Sequence, residues 1–83
     1  MTGETERDAQ LQQLERLKAM GEKAYDEMYE AHSPSGATAC YSDAKEAFYD
    51  AIALARSLEL EEEIKALEKR LEHIKAVFRG QFA

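Results

Sequence analysis

Two hydrophobic repeats occupy the second half of the chain, and they are out of phase. Ala44, Phe48, Ala51, Ala55 and Leu58 recur at alternating spacings of four and three, and Leu60, Ile64, Leu67, Leu71, Ile74 and Phe78 repeat that rhythm two residues out of step. Continued, the first repeat would put Glu62, Lys65 and Lys69 into the core, where charged side chains do not belong. Spacing decides which face of a helix a side chain occupies, so one straight helix cannot turn both stripes toward a single core. The pattern predicts a break at Ser57–Leu60, with one helix ending and the next turning back. A kink merging the two into one rod is the alternative.

The first half carries a third stripe of the same kind. Leu14, Leu17, Ala24, Met28 and Ala31 keep the alternation, Gly21 stands where its missing member belongs, and Leu11, Met20, Tyr25 and Tyr29 widen it. Glycine inside a helix costs up to about 1 kcal/mol relative to alanine. With periodicity continuing on both sides, the reading is that Gly21 lets another helix come close. Residues 1–6 are polar and read as a frayed, flexible end. The segment from His32 to Cys40, with Pro34 and Gly36, reads as a loop. Ser42 is then the expected N-cap of the second helix, with Asp43 in its first turn. Glu61, Glu62 and Glu63 open the third helix, Lys75 and Arg79 close it, and Gly80 ends it. The predicted fold is all-α: an antiparallel three-helix bundle or helical hairpin, with helices near 7–31, 43–57 and 61–79, in a single domain over 7–83.

The second helix is apolar around most of its circumference, as expected of a helix sandwiched between others or lying in an interface. Its run Ala44-x-x-x-Phe48-x-x-Ala51-Ile52-x-Leu54-Ala55 resembles the second helix of a tetratricopeptide repeat, in which small and aromatic residues at this spacing let paired helices nest. The resemblance covers about twelve residues. It implies a helical-hairpin scaffold that binds peptide segments of other proteins. In size and style the chain also resembles the small helical proteins common in bacteria.

Size and charge narrow the function. The chain has 83 residues, and a core that small rarely supplies more than about 3–5 kcal/mol, so association with a second copy or a partner is expected. Seventeen Asp and Glu face eleven Lys and Arg, a net charge of −6, and eight of the acids fall in the first thirty residues against four bases. Without a basic patch, nucleic acid and anionic membrane surfaces are poor partners. Neither a membrane-spanning run nor a signal peptide is present, and the lone Cys40 fits a reducing compartment, so a cytoplasmic location is expected.

Chemistry-bearing residues are sparse. His32, Cys40 and His73 lie too far apart in sequence for paired zinc ligands, and no metal or cofactor is expected. Cys40 is two residues before the expected N-cap, where a helix N-terminus lowers a thiol pKa, and His32 lies on the same expected loop. A small thiol-dependent enzyme or redox protein is therefore the alternative to the main reading. That main reading is a non-enzymatic protein–protein interaction module, self-associating as a homodimer or binding another protein through apolar helix faces. The third-helix stripe is coiled-coil-like, flanked by Glu61, Glu63, Glu68, Arg70 and Lys75. The interface candidates are Phe48, Ile52, Ile64, Leu67, Leu71, Ile74, Phe78 and Phe82. Phe82, beyond Gly80, is the expected exposed anchor. Tyr25, Tyr29 and Met28 are expected to meet Tyr41 and Tyr49 across the loop.

Overall fold

The computed structural model describes residues 2–82, with side chains from residue 5 onward. Three helices account for nearly all of it: α1 (Thr2–Glu30), α2 (Pro34–Ser57) and α3 (Glu61–Gln81). Two three-residue connections force α2 to run antiparallel to both neighbours. The cross-contacts between α1 and α3 rise together along the two helices, from Lys18–Glu63 through Glu22–Arg70 and Tyr25–His73 to Tyr29–Phe82, so these two are parallel. The molecule is a flat rod of 50 × 20 × 13 Å.

Both out-of-phase stripes face one core. Ala44, Phe48, Ala51, Ala55 and Leu58 are all buried, and so are Leu67, Leu71 and Ile74 of the following repeat. The break between them is a tight turn. Glu59 takes the left-handed conformation at φ 57°, the Leu60 amide donates to the Ala55 carbonyl, and the Glu59 amide donates to the Arg56 carbonyl, each at 3.0 Å. This is a Schellman stop, which satisfies helix-end carbonyls and reverses the chain. Leu60, next in line, packs against the core and starts α3 without any side-chain cap.

α2 is the middle helix, and its close fit to α1 depends on Gly21. A Cβ placed on Gly21 would lie 2.6 Å from Cε2 and 2.8 Å from Cδ2 of Phe48, a ring that is itself 1% exposed. The glycine is thus a seat for the aromatic ring, as the interrupted stripe predicts.

Three boundaries differ from the sequence-based expectation. α2 begins at Pro34, so residues 34–42 are helical and the expected loop shrinks to residues 31–33. Ser33, in extended conformation, is the actual N-cap: its Oγ accepts from the Gly36 amide at 3.0 Å. Pro34 does exclude Ser33 from the helix, but at the first helical position proline starts a helix rather than ending one. Ser42 is accordingly an exposed residue within α2. α1 reaches back to Thr2, so residues 2–6, expected as a frayed end, carry helical backbone. Once nucleated, a helix propagates at little cost per residue, and no proline intervenes before Thr2. α3 runs through Gly80, which does not take positive φ, to Gln81.

Two glycines in helices make opposite predictions. Gly21→Ala drives a methyl into a buried ring, and overpacking of this kind costs about 1–3 kcal/mol, more than the helix propensity it recovers. A methyl on Gly80 would meet no atom within 4 Å, so Gly80→Ala is expected to stabilise by up to about 1 kcal/mol. Urea midpoints should move down for the first and up for the second. In a Phe48→Ala background, Gly21→Ala should become stabilising. At the turn, Glu59→Gly relieves a left-handed non-glycine residue and is expected to raise the urea midpoint by the equivalent of about 0.5–1 kcal/mol.

Candidate interaction surface

The eight residues expected to form an interface lie mostly inside the chain's own core. Phe48, Ile52, Leu67, Leu71 and Ile74 are 0–6% exposed, and Ile64, Phe78 and Phe82 are half-buried against the same cluster. Their apolar surface is used where α3 and α1 close over α2, so an intact monomer presents little of it. A stripe pattern marks a face that must be covered, but it does not say whether the cover is the same chain or another.

Phe82 is a clasp. Tyr41 of α2 stacks on Phe78 of α3 with centroids 3.9 Å apart, and Phe78 stacks on Phe82 at 6.1 Å. Phe82 in turn meets Tyr29 of α1 edge-on at 5.5 Å, and Tyr29 meets Tyr25 at 5.4 Å. The chain of rings ties all three helices at one end, and the seat it offers Phe82 explains why α3 continues through Gly80. The tyrosines of α1 therefore reach Tyr41 through Phe78 and Phe82. Tyr49 is not part of this cluster. It lies two turns further along α2, half exposed, with the Lys75 ammonium 5.2 Å from its ring centre.

The expected Cys40–His32 pairing on one loop is not formed, because that loop is largely helix. Cys40 is six residues into α2, about 9 Å along the axis from Pro34, half-buried on the seam with α1. His32 is exposed in the short connection. His73 is exposed on α3, edge-on to Tyr25 at 6.4 Å. Among the described residues, no three His, Cys, Asp or Glu side chains gather in a group that could hold a metal ion.

Each pair of helices leaves a groove at its seam, with a further one of about 530 Å³ at the turn end between α1 and the start of α3, and the grooves differ in electrostatics. In the α1–α3 groove, of about 370 Å³, Phe48 and Leu67 lie beneath a rim of charges that neutralise one another. Arg70 grips Glu22 with two parallel bonds of 2.7 and 2.8 Å, its guanidinium 4.9 Å from the Tyr25 ring centre. Lys18 bonds Glu63, and Glu15 lies 3.4 Å from the same ammonium. The bond to Glu63 raises the Lys18 pKa, against the opposing effect of burial. In the α2–α3 groove, of about 220 Å³, Arg56 pairs with Glu68 at 3.2 Å and Lys75 with Glu72 at 3.8 Å.

The α1–α2 groove, of about 360 Å³, has no such pairing. Its floor is Leu17, Met20, Ala24, Cys40 and Ala47, and its rim carries Glu27, Asp43, Glu46 and Asp50 against Lys23 alone. Met20 is 59% exposed, the most exposed of the large hydrophobic side chains described. By periodicity Met20 is no more than a widening of the α1 stripe. Its position directly before Gly21, and so beside the contact with α2, is the sequence signal that sets it apart.

None of the known protein-family models, curated proteins and solved structures compared with this chain matches it.

The bonded tyrosine pair makes stability fall in alkali. The Tyr25 hydroxyl lies 3.0 Å from that of Tyr29, and this hydrogen bond, reinforced by burial, pushes the Tyr25 pKa up from 10.0 to about 12. Below pH 10 the folded and unfolded chains both hold this proton. Above it the unfolded chain releases the proton first, so stability is lost as pH rises from 10 through about 12. Lys18, also raised, acts in the same sense from its ordinary 10.5 upward. Urea midpoints followed by circular dichroism should decline over this window, and Tyr25→Phe should make the decline shallower.

Proposed function

We propose that this chain is a non-catalytic interaction module that works by surface contact with another protein or peptide. The observation that carries the reading is the α1–α2 groove: an apolar floor centred on a methionine that is 59% exposed, on a chain whose other large stripe residues are mostly enclosed. Methionine is enriched at interfaces and adapts its shape to what it meets. The resemblance of Ala44–Ala55 to a tetratricopeptide helix supports the same reading, since peptide binding is what that resemblance implies. The fold offers no helix long and apolar enough to cross a membrane among its described residues.

Self-association is the other form this contact could take. Met20, Tyr29 and Tyr49, the large hydrophobics left exposed, lie at the α1–α2 seam, the aromatic end and the α2–α3 seam respectively. They form no single helix face for an isologous dimer, which favours a foreign partner on one seam.

Because the core closes within one chain, helicity should survive dilution. Light scattering on a sizing column across a hundredfold dilution is expected to approach the 9.4 kDa of a monomer, with the helical circular dichroism unchanged. A dimer mass that persists throughout, and that Met20→Ser dissolves, would assign the groove to a second copy instead.

A further inference from the structure

The grooves differ in how their carboxylates are partnered. Along the middle of the α1–α3 seam and at the α2–α3 seam every carboxylate lining the groove, Glu15, Glu22, Glu63, Glu68 and Glu72, has a lysine or arginine of this chain within 4 Å. At the turn end, a further groove of about 530 Å³ between α1 and the start of α3, floored by Leu11, Leu14 and Leu60, also carries Glu59, Glu61 and Glu62 with no such partner among the described residues. At the α1–α2 seam Glu27, Asp43, Glu46 and Asp50 share one lysine, Lys23, and among the described residues none of the five enters an ion pair or side-chain hydrogen bond. Four acids against one base leave this rim at −3. Helix dipoles do not account for the surplus: α2 carries no acidic residue in its first turn, and Asp43, Glu46 and Asp50 lie well inside it. The acidic opening of α3, Glu61 to Glu63, does have that explanation.

We infer that the α1–α2 groove docks a basic amphipathic helix of another protein, whose apolar face covers Met20 while its lysines or arginines meet Glu27, Asp43, Glu46 and Asp50. This rests on the contact reading above and specifies the partner's chemistry. The floor calls for an apolar strip and the rim for positive charge on both sides of it, which is the cross-section of such a helix. From Cys40 to Asp50 the groove wall runs about 15 Å, the length of roughly ten helical residues. The described residues form helices only, so no sheet edge is present among them for an extended strand to join. A second copy of this chain is disfavoured, because an isologous pairing would set the same four carboxylates against themselves. The footprint is small, so the complex should be weak, quick to form and strongly salt-dependent.

The probe is a fluorescein-labelled 14-residue peptide of leucine and lysine, with leucines spaced i, i+3, i+4, i+7 and lysines elsewhere. Binding is read by fluorescence polarisation and mapped by ¹H–¹³C spectra of the methionine and alanine methyls. Two variants alter the groove at exposed positions: Asp43→Asn with Glu46→Gln and Asp50→Asn, and separately Met20→Ser. A charge-matched control alters the competing groove at the turn end instead: Glu59→Gln with Glu61→Gln and Glu62→Gln. The groove triple variant should weaken binding about tenfold or more, and Met20→Ser severalfold, while the control changes it less than about twofold. Shifts should centre on the Met20, Ala24 and Ala47 methyls. A peptide with serine in place of leucine should bind about tenfold more weakly, which separates docking from plain charge attraction.

Equal losses from the groove and control variants would overturn the inference, as would shifts centred on Tyr49 or Phe82. Those results would leave contact function standing and move its site. If peptides of basic, neutral and acidic character all fail to bind, the inference falls. The dilution measurement then judges the broader reading separately, since a groove closed by a second copy would appear there as a mass sensitive to Met20→Ser.

Discussion

The contact between Gly21 and the ring of Phe48 sets the architecture. An aromatic ring that is fully enclosed at the meeting of three helices needs a flat seat, and only a residue without a side chain supplies one. With that seat in place, α1 can lie close along the alanine-rich α2. Phe48 also floors the α1–α3 groove beside Leu67, so one side chain adjusts all three helices to one another. Removing a glycine from mid-helix would ordinarily strengthen the helix. Here local propensity and packing oppose each other, and packing decides because a methyl at Gly21 would lie 2.6 Å from Cε2 of the Phe48 ring, which would have to leave its seat.

The consequences differ from one seam to the next. Between α1 and α2 small residues bring the backbones together, leaving Met20 outside the contact rather than within it. Between α1 and α3 long charged side chains span the gap above Phe48. The two-pronged Arg70–Glu22 bond, stacked over Tyr25, combines geometry and partial burial that give an ion pair its orientation. Arg56 and Glu68, each at least half exposed, contribute little to stability by comparison. Their effect is to leave that seam electrically quiet. The carboxylates of the α1–α2 groove, by contrast, pair with no cation among the described residues.

The aromatic clasp shows how a chain this small holds its open end together. Tyr41, Phe78, Phe82 and Tyr29 link all three helices at that end, and each ring adds contact area at little entropic cost. Its position explains the last turn of α3. A glycine in helical backbone is a cost the chain accepts when the residues beyond it gain a packed seat.

Much of this is legible in the residue pattern alone. Alternating spacings name the core faces of all three helices, the phase slip names the turn between the last two, and the gap at Gly21 names a close approach. These follow from helical geometry, which is local and periodic. The N-cap of α2 is not legible in the same way, because Ser33-Pro34 and Ser42-Asp43 are both good starts, and only the burial of Ala37 against the core extends the helix back to Pro34. Phe82 looks exposed in the sequence for a similar reason: nothing near it in the chain says that Tyr29 lies beside it. Whether an apolar stripe is covered by its own chain, and which carboxylates find a cation, depend on contacts between residues far apart in sequence. The amino-acid order therefore determined the helices and their inward faces by itself, and tertiary packing alone decided which apolar residues were covered and which, Met20 foremost, were left exposed.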